Sequence, residues 1–177
     1  KNRKIKFIGS GNWGFQVLKE LAINFDCNKI FWLCRYNYDK NLTKLKEFDL
    51  KNVHIINNSS DSEENYDCIF IASNSLNHVV DFINHKSLSI PIFIEKPFFP
   101  SIENYKILNE FQRNNIFINL EFYFAYYIKK LKTHLIDNQI FRLDYIWFDP
   151  FTSVKKNYTK NSEICSSIFQ DQLLHIL

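Results

Sequence analysis

The chain has 177 residues, 46% of them hydrophobic and 17% aromatic, which is enough for one domain with a full core or a domain and part of another. Its 22 Lys and Arg against 19 Asp and Glu leave a net charge of +3 with no basic stripe, which argues against a nucleic-acid partner. No apolar run approaches the roughly 20 residues that cross a bilayer, and the basic start Lys1, Arg3, Lys4 and Lys6 precedes too short an apolar stretch for a secretory leader, so a cytoplasmic protein is expected.

In chain order, Ile5 to Ile8 is an apolar strand, followed at once by Gly9-Ser10-Gly11-Asn12-Trp13-Gly14 and then by a helical pattern. All three glycines of the chain lie in this run. Each has a separate task in a dinucleotide-binding turn: Gly9 permits the tight bend, Gly11 lets backbone approach a diphosphate, and Gly14 lets the helix pack on the strand. Phe15, Leu18, Leu21, Ala22 and Phe25 recur at helical spacing. Ile30 to Leu33 is a second strand, Leu42, Leu45 and Phe48 mark a second helix, and Val53 to Ile56 is a third strand. The polar, serine-rich and acidic stretch Asn57 to Asn65 reads as a loop.

Cys68 to Ala72 is a fourth strand, Val79, Val80, Phe82 and Ile83 belong to a helix, and Ile92 to Ile94 is a fifth strand introduced by Pro91. Ile102, Tyr105, Leu108 and Phe111 line a further helix before a sixth strand, Ile116 to Leu120. Strands that are continuously apolar and alternate with helices predict a parallel sheet covered on both faces. The expected fold is therefore α/β: a doubly wound Rossmann domain over residues 1–120. Past it, a helix near Ala125 to Ile136 leads into Phe141 to Phe148, whose partial alternation fits the opening strand of a second, more open sheet within 121–177. Cys27, Cys34, Cys68 and Cys165 lack Cys-x-x-Cys spacing and read as reduced thiols, so no metal site is expected.

Two further positions carry chemistry. NAD-preferring domains place an acid about 20 residues past the glycine turn, and here Cys34 and Arg35 stand in that place; a guanidinium accepts a 2′-phosphate, which favours NADP over NAD. Glu95-Lys96-Pro97 follows the fifth strand, where open α/β sheets gather ligands. A lysine there can touch nucleotide and substrate oxygen together.

The glycine turn, the stretch Ser73-Asn74-Ser75-Leu76-Asn77-His78, Glu95-Lys96-Pro97 and the late Asp171-Gln172-Leu173-Leu174-His175 together resemble the glucose-fructose oxidoreductase / inositol dehydrogenase (Gfo/Idh/MocA) family over nearly the whole chain. The resemblance implies an NAD(P)-dependent oxidoreductase that moves a hydride between nicotinamide and a hydroxyl or keto carbon of a sugar or sugar derivative. It implies cofactor contacts from Gly9, Gly11, Asn12, Trp13, Gly14, Arg35, Ser73, Asn74, His78, Glu95 and Lys96, and catalysis by Lys96, Asp171 and His175. Asp171 and His175, four apart, share a helix face, and His175 suits proton exchange at neutral pH. His54, His85 and His134 are expected to be structural or solvent-facing.

The chain departs from the family's pattern in four places. Asn74 replaces a proline, Glu121-Phe122-Tyr123-Phe124 lacks an arginine, Ser166-Ser167 stands where consecutive glycines are usual, and the second domain normally continues much further. A shortened second domain, the lack of any methionine and the apolar ending at Leu177 lead to the expectation of a fragment. The alternative is that a partner chain covers Phe148, Phe151 and Phe169; by the family resemblance a homo-oligomer through the second sheet is expected. The alternative function is a dinucleotide-binding protein without turnover, sensory or regulatory.

Overall fold

A computed structural model describes residues 3–25, 29–56, 65–85, 89–96, 115–119, 129–130 and 132–133. The chain divides into two compact units, Lys1–Asn119 and Leu120–Leu177. The strands and helices below all lie in the first. Beyond it, 129–130 and 132–133 are helical, while the expected strand Phe141 to Phe148 and the helix through Ile102 to Phe111 lie outside the described residues.

The first unit runs β1 (Lys4–Ile8), α1 (Asn12–Asn24), β2 (Lys29–Leu33), α2 (Tyr38–Glu47), β3 (Val53–Ile56), β4 (Cys68–Ile71), α3 (Ser75–Ile83), β5 (Ile92–Glu95) and β6 (Ile116–Asn119). The six strands form one sheet in the order β3-β2-β1-β4-β5-β6. Every pairing is parallel. The chain moves outward from β1 to β3, then returns to the other side of β1 to lay down β4, β5 and β6. Beside β1 the order reverses, and that switch point opens a crevice at the carboxyl ends of the strands.

Both faces of the sheet are buried at its central strands β1 and β4, which is why these lack an in-out alternation, while Phe117 and Ile118 of β6 are exposed. On one face Ile5, Phe7, Ile30 and Trp32 pack with Phe15, Leu18 and Leu21 of α1 and Leu45 of α2. On the other, Ile8, Leu33, Ile69, Ile71, Ile92 and Ile94 pack with Val79 and Phe82 of α3. Phe7, Phe70, Phe93 and Phe117 stand directly opposite one another across β1, β4, β5 and β6. Their rings stack in sequence at centroid distances of 6.4, 4.6 and 5.1 Å. A slip of one residue would send each phenylalanine to the opposite face, so this ladder holds the register.

Two details differ from the sequence reading. Lys6, counted with the basic start, is only 2% exposed on the α3 side of β1, its ammonium 5.4 Å from the Tyr66 ring centroid. Its place between Ile5 and Phe7 explains this, because neighbouring strand residues face opposite sides and here both sides are core. The buried residues of α2 are Asn41 and Leu45, while Phe48 lies past the helix end with its ring 5.6 Å from that of Phe15.

Candidate functional site

The carboxyl ends of β2, β1, β4 and β5 lie level, since Ile8 pairs with Leu33 and with Ile71, and Ile71 pairs with Ile94. The loops that leave this edge therefore line one crevice. Gly9 to Gly14 leave β1, Cys34 and Arg35 leave β2, Ala72 to Asn74 leave β4, and Lys96 follows Glu95, the last residue of β5.

The three glycines answer three different constraints. Gly9 has φ +144°, and a Cβ there would lie 2.2 Å from the carbonyl oxygen of Ala72. A Cβ on Gly14 would meet Ala72 O at 3.1 Å and Gly9 O at 3.3 Å, so α1 sits close against the two loops. Gly11 is different: it caps α1 with ordinary extended backbone, φ −76° and ψ 171°, and a Cβ would meet nothing within 4 Å. Among the described residues neither conformation nor packing calls for glycine at that position.

Beyond Gly11 the helix start is open to an anion. Phe15 N–H to Gly11 O, 3.0 Å, is the first bond of the helix. The N–H groups of Asn12, Trp13 and Gly14 precede it, no side chain caps them, and the first turn holds no acid. The positive end of the helix dipole is thus unopposed. Asn12 and Trp13 are exposed, and Asn12 Oδ1 accepts from Lys44 Nζ at 3.2 Å.

Buried groups behind the turn hold it in shape, and the sequence reading did not single them out. Trp32 is fully buried, and its Nε1–H donates to Gly9 O at 2.6 Å. Asn41 Nδ2 lies 3.4 Å from Ser10 O, 3.4 Å from Tyr36 O and 3.6 Å from Cys34 Sγ. Burial pushes the Cys34 thiol up to about 11, against a smaller downward pull from Asn41. Cys34 is therefore an inert core thiol. Trp32→Phe should keep the ring packing but strand a buried carbonyl at Gly9. The expected cost is about 1–3 kcal/mol, read as a lower denaturant midpoint at an unchanged slope.

On the far lip, Asn74 caps α3 through Oδ1, which accepts from Leu76 N–H at 3.0 Å. Its φ of −62° is one that a proline ring would also allow, and asparagine adds a side-chain cap. His78 is buried and its Nε2 donates to Ser73 O at 2.8 Å, which ties it to the loop after β4. Ser73 Oγ donates to Asp81 Oδ2 at 2.6 Å, and Arg35 pairs with both oxygens of the same carboxylate. Asp81 thereby joins the lip after β2 to the lip after β4.

Glu95 is the last residue of β5, not the first beyond it. It is buried, faces Asn119 in register and accepts a hydrogen bond from Asn119 Nδ2. That bond fixes the strand end from which half-buried Lys96 emerges. His85 is buried, donates from Nδ1 to Asp81 O at 2.7 Å, and is held below the usual imidazole range mainly by desolvation. His54 is exposed beside Phe31. Pro97, His134, Asp171 and His175 lie outside the described residues. Among the described residues no group of His, Cys, Asp and Glu is arranged to hold a metal, and no helix is long and apolar enough to cross a membrane.

A parallel sheet in this order, with a glycine turn at its switch point, is the Rossmann architecture. No family model matches the chain, and no curated protein matches it in sequence. Solved structures do match in fold. Myo-inositol 2-dehydrogenase from Lactobacillus plantarum superposes with a TM-score of 0.80 at 18% identity, over 99% of this chain and 54% of that one. Myo-inositol dehydrogenase from Lactobacillus casei, in complex with NAD(H) and myo-inositol, gives 0.67 at 17% identity, over 77% and 42%. A Gfo/Idh/MocA family oxidoreductase from Vibrio cholerae gives 0.63 at 18% identity, over 77% and 44%. The chain spans about half the length of these proteins and has the fold of the Gfo/Idh/MocA oxidoreductases.

Proposed function

We propose that this chain is the nucleotide-binding part of a Gfo/Idh/MocA oxidoreductase that moves a hydride between a nicotinamide dinucleotide and a hydroxyl or keto carbon of a sugar-like compound. Gly11 carries the reading. A residue with unstrained backbone and open space over its Cα tolerates any small side chain on internal grounds, so its being glycine points to a group that approaches from outside. The uncapped N–H groups beside it, with no acid in the first turn, suit a diphosphate.

With the diphosphate over the end of β1, the adenosine half extends toward β2 and the nicotinamide half toward β4 and β5. The bound nicotinamide would supply the hydride donor or acceptor. The chain's own residues then divide the remaining tasks. Asn12, Trp13 and Gly14 bind the diphosphate through backbone N–H. Ser73 and Asn74 shape the lip after β4. Lys96 orients the substrate oxygen or relays its proton. Asp171 and His175 keep the roles that the family resemblance gives them. The dehydrogenase from Lactobacillus casei holds NAD(H) and a cyclitol on this fold, which supports the substrate class.

Titration of the protein with NADH and NADPH, followed by nucleotide fluorescence, tests the reading. Both are expected to bind, and Gly11→Val should weaken them at least about tenfold, the roughly 1.4 kcal/mol carried by one charge-assisted hydrogen bond. Unfolding free energy should stay within about 1 kcal/mol of the parent, since only a helix cap changes. Wild-type protein that binds neither nucleotide would refute the proposal.

A further inference from the structure

We propose that Asp81 sets the cofactor preference of the crevice by cancelling the charge of Arg35, so that the site distinguishes little between NAD and NADP. The proposal rests on the dinucleotide reading above. Arg35 stands two residues past β2, where the ribose 2′ group of the cofactor is read, and from sequence its guanidinium looks available to a 2′-phosphate. In the structure it is already engaged. Its Nη1 donates to Asp81 Oδ2 at 3.1 Å, and its Nη2 pairs with Oδ1. Ser73 Oγ takes a further position on Oδ2 at 2.6 Å.

The burial of the two partners decides which of them governs. The Asp81 side chain is 0% exposed, whereas that of Arg35 is 33% exposed. A carboxylate shut away from water needs its counter-ion, so Arg35 cannot turn to a phosphate without leaving that charge buried and alone. The remaining donors of the guanidinium stay at the surface, but the pair as a whole is neutral and offers a dianion little attraction. The opposite selectivity is also missing. The residue before Arg35 is the buried thiol of Cys34 rather than an acid, and both oxygens of Asp81 are already engaged, so neither position presents a ready carboxylate to grip a 2′-hydroxyl or repel a 2′-phosphate.

The test is the ratio of dissociation constants for NADH and NADPH on the full chain. Wild type is expected to bind the two within about threefold of each other. Asp81→Asn keeps the shape and the bond to Ser73 but releases one positive charge. It should tighten NADPH about tenfold and leave NADH within about threefold, the gain shrinking as salt is raised. A merely structural role for Asp81 would weaken both nucleotides alike and leave the ratio unmoved, which would overturn the proposal. Should Asp81→Asn fail to fold, the double variant Arg35→Gln with Asp81→Asn removes the pair without leaving a lone buried charge, and its ratio should match wild type. A wild type that prefers NADPH tenfold or more, whether or not the double variant loses that preference, overturns the masking. Absence of any nucleotide binding by wild type instead removes the dinucleotide reading itself.

Discussion

Gly9→Ala is expected to cost the Lys1–Asn119 unit about 4 kcal/mol or more, most of the margin that keeps a domain folded. Two costs coincide there. The φ of +144° is closed to residues with a side chain, and the new Cβ would lie 2.2 Å from a backbone oxygen that must move to admit it. That oxygen has little room, because Ala72 N–H is bonded to Ile8 O at 2.7 Å and Gly9 O is itself held by Trp32 at 2.6 Å. Gly14→Ala provides the contrast. Its closest approach is 3.1 Å, and alanine's helix preference over glycine offsets about 1 kcal/mol of the crowding. Thermal unfolding followed by circular dichroism should show a midpoint at least about 10 °C lower for Gly9→Ala, and a few degrees at most for Gly14→Ala. Equal midpoints would mean that the bend is held some other way.

The sheet was legible in the sequence because a parallel strand buried on both faces is largely apolar, and Ile30 to Leu33 and Ile92 to Ile94 meet that demand outright while Ile5 to Ile8 meets it but for the buried Lys6. The glycine turn was legible because its three glycines fall within six residues, directly between a strand and a helix, although the atoms that demand glycine at Gly9 and Gly14 include the distant Ala72 carbonyl. What sequence reading missed acts over long separations. Arg35 meets Asp81 across 46 positions, Trp32 meets Gly9 across 23, and the Phe7, Phe70, Phe93 and Phe117 ladder joins four strands. A signal for α3 was nevertheless present. Ser75 and His78 fall in phase with Val79 and Phe82, and His78, Asp81 and His85 fall three and four apart, so the apolar stripe of that helix contains polar groups. Polar residues in phase with a core stripe need buried partners, and they find them in Ser73, Arg35 and backbone carbonyls. Arg35 in particular looks available from sequence because the carboxylate that engages it lies 46 positions away.

Lys96→Ala is expected to lower turnover of a sugar or cyclitol substrate at least about 100-fold, the lower end of what a positioned proton-transfer group contributes, with cofactor dissociation constants within about threefold of wild type. The separation follows from the sheet. β5 lies two strands from β1, about 10 Å along the hydrogen-bonding direction, so a lysine leaving β5 stands clear of a diphosphate seated at the glycine turn. The Glu95 bond to Asn119 holds the strand end in either variant, so the change is confined to one half-buried side chain. Lys96→Arg makes the assignment sharper. It keeps the charge, so a purely electrostatic role survives it, but a guanidinium does not release a proton near neutral pH, so a proton-exchange role is lost. Turnover lost in both variants with binding intact assigns proton exchange to the amine. Turnover unchanged in Lys96→Ala removes the lysine from the chemistry while leaving the nucleotide site standing, and a wild type that binds nucleotide yet turns over no polyol or keto-sugar moves the chain to the regulatory reading.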